Sequence, residues 1–116
     1  MRSFAEEQIG AVCVLRVDQP IDRDHCDEID SWAADHLAGG DRFLLLNCLR
    51  STCFDSVGLE TILAITRNAA SQGARFALSH MNENLATTVR VTRLEKAIEH
   101  YLTVEDAVRA MRGRGA

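Results

Sequence analysis

Apolar residues occur along this chain in two alternating patterns: short unbroken runs, and stretches with a three- or four-residue spacing. The strand-like runs lie at residues 11–17, 42–48 and 75–79, and their unbroken apolar centres are 11–15, 43–46 and 76–78. Runs of this length are typical of β-strands that are covered on both faces. Two further segments, residues 3–7 and 96–101, are predicted to add a partner strand and an edge strand. The pattern therefore predicts a sheet with a buried centre and two outer strands.

The stretches between these runs have the spacing of amphipathic helices. A first helix is predicted from Asp22 to the glycine pair at 39–40, and a second over residues 56–72. A third passes through Leu85, and a fourth begins after Thr103, whose hydroxyl can cap it. The positions predicted to face the core are Cys26, Ile29, Trp32, Ala33 and Leu37 in the first helix, Leu59, Ile62, Leu63, Thr66, Ala69 and Ala70 in the second, Leu85, Thr88, Val89 and Thr92 in the third, and Val104, Ala107, Val108 and Met111 in the fourth.

Strands that alternate with helices indicate an α/β layer fold. The chain has 116 residues, 47% of them apolar, which is enough for one hydrophobic core and too few for two. No repeat or linker divides it. We therefore expect a single domain over residues 1–116, with its core at about 10–111 and a flexible tail at 112–116.

The charge distribution argues against nucleic acid as a partner. The chain carries 13 basic and 17 acidic residues, a net charge of −4. Residues 1–58 hold eleven acidic and five basic groups, whereas residues 59–116 hold six and eight. Nucleic-acid binding depends on a basic surface that neutralises phosphates, and this pattern provides none. No apolar run reaches the roughly 20 residues of a membrane-spanning helix, and none follows Met1 as a signal sequence would. We therefore expect a cytoplasmic protein without membrane insertion.

The cysteines and histidines show no spacing typical of a metal site. The cysteines stand at positions 13, 26, 48 and 53, and the histidines at 25, 36, 80 and 100. No cysteine pair has the two-residue gap of a zinc knuckle. Cys13 and Cys48 lie inside apolar runs, where cysteine behaves as a small hydrophobe. The sequence predicts structural thiols, no metal and no cofactor.

The stretch Phe54-Asp55-Ser56-Val57-Gly58 carries the main functional signal of the sequence. It lies between a buried strand and a helix, where open α/β sheets place their sites. Asp55 and Ser56 are good N-cap residues, and Gly58 lets another backbone segment approach closely. The free N–H groups of a helix start can also bind an anion. On its own, the stretch is compatible with a simple helix cap and with an anion site.

Together, several features resemble the STAS domain (sulphate transporter and anti-sigma factor antagonist), and in size the chain is similar to stand-alone bacterial anti-anti-sigma factors. These features are the order of elements, the Asp-Ser-x-Gly-Leu start of the second helix, the preceding Leu44-Leu45-Leu46-Asn47 segment and the Thr-Val-Glu-Asp-Ala-Val segment at 103–108. The resemblance extends from about Gly10 to Met111. It implies a mixed sheet of about five strands flanked by about four helices.

The resemblance also implies a task. In that family the unphosphorylated domain binds an anti-sigma factor, often a serine kinase, and so releases the sigma factor. Phosphorylation of the second hydroxyl residue of the motif abolishes this binding. Here Val57 occupies that position and has no hydroxyl, so Ser56, Thr52 and Ser51 are the alternative acceptors. A phosphate there would add roughly −1.5 to −2 charges beside Asp55.

The resemblance places a partner-binding surface, here called the docking rim, at the start of the second helix. The docking rim comprises Asp22, residues 51–58 and the exposed side of that helix with Glu60, Arg67 and Asn68. Asp22 matches an aspartate in the family's loop before the first helix. The residues predicted to bind the partner are Asp22, Phe54, Asp55, Ser56, Val57, Gly58 and Glu60.

Two further function classes compete with an anti-sigma factor antagonist. Because Val57 cannot be phosphorylated, a STAS scaffold or ligand-binding domain of a stressosome-like or transporter-accessory system is the alternative. An enzyme with Ser56 or Cys53 as nucleophile is disfavoured, since no histidine has a local signature of a base and the glycine spacing of a nucleophile elbow is missing. The sequence leaves open whether the protein forms a homodimer.

Overall fold

A computed structural model describes residues 4–115 of the chain, with side chains to Arg112. It contains five strands and four helices, in the alternating order that the apolar pattern predicts. The strands are β1 (Ala5–Ile9), β2 (Val12–Arg16), β3 (Phe43–Asn47), β4 (Arg75–Ser79) and β5 (Glu99–Tyr101), and the helices are α1 (Cys26–Ala38), α2 (Ser56–Ser71), α3 (Glu83–Val91) and α4 (Val104–Gly115).

The five strands form one mixed sheet in the spatial order β1-β2-β3-β4-β5. The hairpin strand β1 runs antiparallel to β2, and all other neighbouring pairs are parallel. Each parallel connection contains a helix, as a crossover between parallel strands requires. The predicted α/β fold with a mixed sheet and four helices is confirmed.

Hydrophobic residues cover both faces of the sheet, because side chains alternate along each strand. On β2, Cys13 and Leu15 belong to the larger core, which α1, α2 and α3 cover. Val12 and Val14 point to the other face and pack with the apolar side of α4. Helices therefore cover both faces of the sheet, which explains why the centre of each buried strand is a continuous run of apolar residues.

Three element boundaries differ from the prediction. Helix α1 begins four residues after Asp22, because residues 22–25 form a turn in which the Asp22 carbonyl accepts from the N–H groups of His25 (3.1 Å) and Cys26 (2.9 Å). The last strand is only three residues long, because Leu94 begins a turn that ends at Ile98. Strand β1 is shifted toward Gly10, and Ser3, where it was predicted to begin, lies outside the described residues.

The buried face of α2 is rotated relative to the predicted stripe. Ile65 is 2% exposed and belongs to the core, although the prediction omitted it. Ala70 is exposed, and Leu63 and Thr66 are only half-buried. A stripe read from sequence alone is uncertain by one position because several small and apolar residues follow each other in this helix. The correction matters because it also fixes which side of α2 faces solvent.

Three smaller observations complete the fold. Within residues 4–115, no helix is long and apolar enough to span a membrane. Helix α4 continues to Gly115 across most of the segment that was predicted as a tail, and Ala116 lies outside the described residues. The cysteines are unpaired: Cys13, Cys26 and Cys48 are buried, but Cys53 is exposed, so the expectation of a structural thiol is wrong for Cys53.

Candidate functional site

Three loops meet at the edge of the sheet where the parallel strands β2, β3 and β4 end. The hydroxyl of Ser51, in the loop after β3, donates to the Gln19 carbonyl at 2.8 Å. The side-chain amide of Asn82, after β4, donates to the Ser51 carbonyl at 2.8 Å and also contacts the Thr52 carbonyl at 3.3 Å. Ser51 therefore connects all three loops, which explains why this serine is only 1% exposed.

Two backbone hydrogen bonds attach the loop before α1 to the segment that enters α2. The N–H of Ile21 donates to the Cys53 carbonyl at 2.9 Å, and the N–H of Asp55 donates to the Ile21 carbonyl at 3.3 Å. These bonds form an isolated parallel bridge between Ile21 and Phe54. Both residues of the bridge are buried. The docking rim is thus joined to the core by main-chain contacts, and Asp22 is held next to residues 53–55.

Asp55 is the N-cap of α2. Its carboxylate accepts from the Gly58 N–H at 2.7 Å and from the Arg23 N–H at 3.0 Å. The hydrogen bonds from Gly58 and then Arg23 lower the pKa of Asp55. The carboxylate thereby occupies the positive end of the helix, where an external anion would otherwise bind. Of the two interpretations of this stretch, the geometry supports the helix cap over the anion site. The capping residue is Asp55, not Ser56.

Gly58 is buried because the first turn of α2 touches the loop before α1. A Cβ built on Gly58 would lie 1.8 Å from the Ile21 carbonyl oxygen and 2.6 Å from the Ile21 carbonyl carbon. No real Cβ tolerates such distances, so only glycine fits. The predicted close backbone approach at this position is confirmed, and its partner is Ile21.

Comparison with known proteins assigns the family. The family model of the STAS domain matches residues 3–107. The chain belongs to the STAS domain family. A relative from Thermotoga neapolitana, a TM1081 homologue provisionally named an anti-sigma factor antagonist, is 26% identical over 112 residues, which are 96% of this chain and 99% of the relative.

Solved structures show the same STAS fold. The TM1081 protein of Thermotoga maritima has a TM-score of 0.87 at 24% identity, with 94% of each chain covered. The anti-sigma factor antagonist SpoIIAA in its unphosphorylated form has a TM-score of 0.79 at 19% identity, with 96% of this chain and 97% of that chain covered. SpoIIAA, described as a Bacillus cell fate determinant, has also been solved in its phosphorylated form. At these identities the likeness shows the fold.

The predicted partner-binding residues of this STAS domain fall into two groups. Phe54 is 8% exposed and Gly58 is buried, so these two support the docking rim from below and offer a partner little surface. Asp55, Ser56 and Glu60 are exposed, as are Arg67 and Asn68 further along α2. Half-buried positions flank them, namely Asp22 and Val57. The solvent-facing part of the docking rim is therefore mainly acidic and polar.

The three alternative hydroxyls differ in accessibility. Ser51 is buried, and its hydroxyl is already used in the bond to Gln19. Thr52 is exposed, with its hydroxyl 3.9 Å from the Cys53 sulfur. Ser56 is also exposed, and among the described residues none forms a hydrogen bond with its hydroxyl. Of the three, Ser56 offers the most accessible oxygen.

Three residues of this site were missed from the sequence. Asn82 connects two loops and also caps α3, since its side-chain oxygen accepts from the Leu85 N–H at 2.8 Å. An asparagine directly before a helical stretch is a known cap signal, and it would have marked the first residue of α3. The backbone of Arg23 binds Asp55, and His25 Nδ1 lies 2.7 Å from Asp22 Oδ1. No local pattern reveals the contact between Arg23 and Asp55, because these residues are 32 positions apart. Asp22 and His25 are only three positions apart, in the turn before α1.

Within residues 4–115, the site does not pair a nucleophile with a histidine base. Within the described residues, no histidine lies within hydrogen-bond reach of the Ser56 hydroxyl or the Cys53 thiol. The histidine beside the docking rim, His25, contacts Asp22 instead. Covalent catalysis by serine or cysteine requires such a contact with a base.

Proposed function

We propose that this protein is a cytoplasmic anti-sigma factor antagonist whose docking rim binds an anti-sigma factor, including one of the serine-kinase type. The observation that supports this most directly is the exposed start of α2, which Asp55 caps and Ile21 supports from below. A surface fixed in this way loses little conformational freedom on binding. The names of the relatives point to the same role.

The charges of the docking rim favour a basic surface on the partner. Asp55 and Glu60 are exposed, and Asp22 is half-buried beside them. Hydrogen bonds hold the carboxylates of Asp22 and Asp55 in fixed positions. Complementary charge raises the rate of association and selects among partners more than it raises affinity.

Ser56 is the residue at which phosphorylation would control this binding. The hydroxyl of Ser56 is exposed and has no hydrogen-bond partner among the described residues. Val57 matches the residue that is phosphorylated in the family, but it has no hydroxyl that could be phosphorylated. A phosphate on Ser56 would place roughly −1.5 to −2 charges next to the Asp55 carboxylate. Since Asp55 already accepts from the Gly58 N–H, repulsion between the two anions would disturb the cap and the partner contact together.

A binding experiment with anti-sigma factors from the same organism tests the proposal. Val57→Glu and Ser56→Asp are expected to weaken binding at least tenfold, because each places a second carboxylate close to that of Asp55, and the repulsion disturbs the cap of α2 and the shape of the docking rim. Glu60→Lys should also weaken binding of a basic partner. Its matched control is Glu105→Lys, which reverses an exposed glutamate near the start of α4, on the opposite face of the sheet. Equal affinity of Val57→Glu and wild type for the partner would overturn the proposed surface.

Phosphorylation separates this function from the second candidate, a STAS scaffold or ligand-binding domain. Valine at position 57 is the observation that favours the scaffold. Incubation with ATP and the partner kinase should add one phosphate group to wild type and none to Ser56→Ala. A protein that gains no phosphate, while still binding other STAS domains or a small ligand, would support the scaffold instead.

A further inference from the structure

A second cluster of reactive side chains lies away from the docking rim. The sulfur of Cys13, a ring nitrogen of His36 and a carboxylate oxygen of Asp41 all lie within 4.8 Å of one another. Cys13 comes from β2, His36 from α1 and Asp41 from the loop before β3. The docking rim follows the carboxyl end of β3, whereas Asp41 precedes its amino end. The two sites therefore lie at opposite ends of this strand.

We propose that Cys13, His36 and Asp41 bind a Zn²⁺ ion. Thiolate, imidazole and carboxylate are the three ligand types that zinc uses in proteins. The combination of one sulfur, one nitrogen and one oxygen suits zinc better than Mg²⁺ or Ca²⁺, which prefer oxygen alone. Three protein ligands leave the fourth tetrahedral position for water.

The surroundings of His36 hold its ring in an orientation suitable for a ligand. Nδ1 lies 2.7 Å from Asp41 Oδ2, and Nε2 lies 3.3 Å from Glu6 Oε1. The ring also packs edge-on against the buried Trp32, with centroids 5.5 Å apart. Histidines that bind metals usually donate their other N–H to a carboxylate, a backbone carbonyl or water. His36 would thus bind the ion through Nδ1 while Glu6 accepts from Nε2–H.

The burial pattern allows an ion to enter from solvent. Cys13 is 1% exposed. The side chains of His36 and Asp41 are 23% and 40% exposed. The sulfur therefore forms the floor of the site, and the two other ligands form its open side. Zinc bonds to nitrogen and oxygen are about 2 Å long, so His36 and Asp41 need to separate only slightly for the ion to replace the proton between them.

Coordination would change the protonation of Cys13. Without a cation, burial and the nearby Asp41 carboxylate raise the pKa of this thiol to about 11, so it is protonated at neutral pH. On binding, the S–H bond breaks, the sulfur–zinc bond forms and the thiol proton passes to solvent. The proton that the ion displaces from His36 Nδ1 is taken up at Nε2, which donates it to Glu6. A divalent cation stabilises the thiolate and reverses the effect of the neighbouring carboxylates.

Metal titration of the whole reduced protein tests the proposal. Isothermal titration calorimetry with ZnCl₂ is expected to show one site, and the melting temperature should rise with zinc concentration because the ion binds only the folded cluster. Co²⁺, used as a spectroscopic substitute, should produce a thiolate-to-cobalt charge-transfer band. Glu6→Gln is expected to weaken zinc binding by roughly 10–100-fold, the effect of losing a carboxylate behind a histidine ligand.

Variants of the ligands and matched controls determine whether the cluster is responsible. Cys13→Ser and Asp41→Asn should weaken zinc binding by more than Glu6→Gln does, and Cys13→Ser should abolish the cobalt band. Because the Asp41 side chain is partly exposed, the Asp41→Asn protein should fold even if the change at the buried Cys13 prevents folding. His25→Gln is the control, since His25 also lies 2.7 Å from an aspartate but has no cysteine in a three-ligand group.

The outcomes that would overturn the zinc site are well defined. They are an absence of one-to-one binding in wild type, binding that survives in Asp41→Asn, or a cobalt complex without the thiolate band. Loss of zinc binding in His25→Gln would equally contradict it. None of these results depends on an anti-sigma factor, so this inference and the proposed function can fail independently.

Discussion

Gly58→Ala should destabilise this protein, because glycine at this position lets α2 contact the loop before α1. The new methyl group would lie 1.8 Å from the Ile21 carbonyl oxygen and 2.6 Å from the carbonyl carbon. Both atoms belong to backbone that the Ile21–Phe54 bridge holds in place, so neither can rotate away. Overpacking of this kind costs typically 1–3 kcal/mol. The severity of the contact places this case at about 3 kcal/mol.

Alanine is intrinsically a better helix former than glycine by about 1 kcal/mol, which offsets part of this cost. We therefore expect Gly58→Ala to lower the free energy of unfolding by about 2 kcal/mol. For a domain of this size, that corresponds to a decrease in Tm of roughly 8 °C. Urea denaturation measures the change as a lower midpoint with an unchanged slope.

Gly39→Ala is the matched control for this prediction. Gly39 ends α1 at φ −80°, which alanine also adopts, and its added Cβ would lie 3.5 Å from the nearest atoms, an ordinary contact. This substitution should be neutral, or stabilising by up to about 1 kcal/mol. The reasoning is refuted if Gly58→Ala unfolds at the same urea concentration as wild type, or if both alanines have the same effect.

Further predictions concern the docking rim and the face of α2. Ser51→Ala removes the hydrogen bond to the carbonyl of the exposed Gln19 and should lower the free energy of unfolding by about 0.5–1.5 kcal/mol in urea denaturation, while the exposed Thr52→Ala changes it by less than about 0.5 kcal/mol. The pKa of Asp55 is lowered in the folded state, so its ionic stabilisation is complete above the unfolded pKa of about 3.9 and is lost as the pH falls through the folded pKa. The difference in stability between wild type and Asp55→Ala should therefore shrink in acid; a constant difference would contradict the assigned hydrogen bonds. Ile65→Ala should lower the free energy of unfolding by about 2–5 kcal/mol, and Leu63→Ala should lower it clearly less because Leu63 is only half-buried. A larger effect of Leu63→Ala would instead support the buried face of α2 that was predicted from the sequence.

Much of the fold could be predicted because the responsible interactions are local. The buried strands were found from three apolar runs, since a strand covered on both faces needs apolar residues at every position. The start of α4 was found from a capping residue, and the Asp106 N–H indeed donates to the Thr103 hydroxyl at 3.0 Å. Such signals depend on residues at most a few positions apart, and a single sequence contains them in full.

Predictions failed where a residue's environment depends on distant segments. The sequence places Ser51 among the alternative phosphate acceptors, but the neighbouring loops bury its hydroxyl. Phe54 looked like part of a contact surface, but its bridge to Ile21 turns it into the core. Ile65 was missed because a helix with apolar residues on several sides has no unique buried face until the sheet is placed against it.

The sequence by itself determined the types and order of the elements, the STAS resemblance and the approach of a second backbone segment at Gly58. Only the tertiary structure decided which residues of the docking rim face solvent, and that Cys13, His36 and Asp41 come together. The physical reason is the range of the interactions involved. Periodicity and capping act within one or two turns, whereas strand order and helix crossovers bring together groups that are tens of residues apart in the chain.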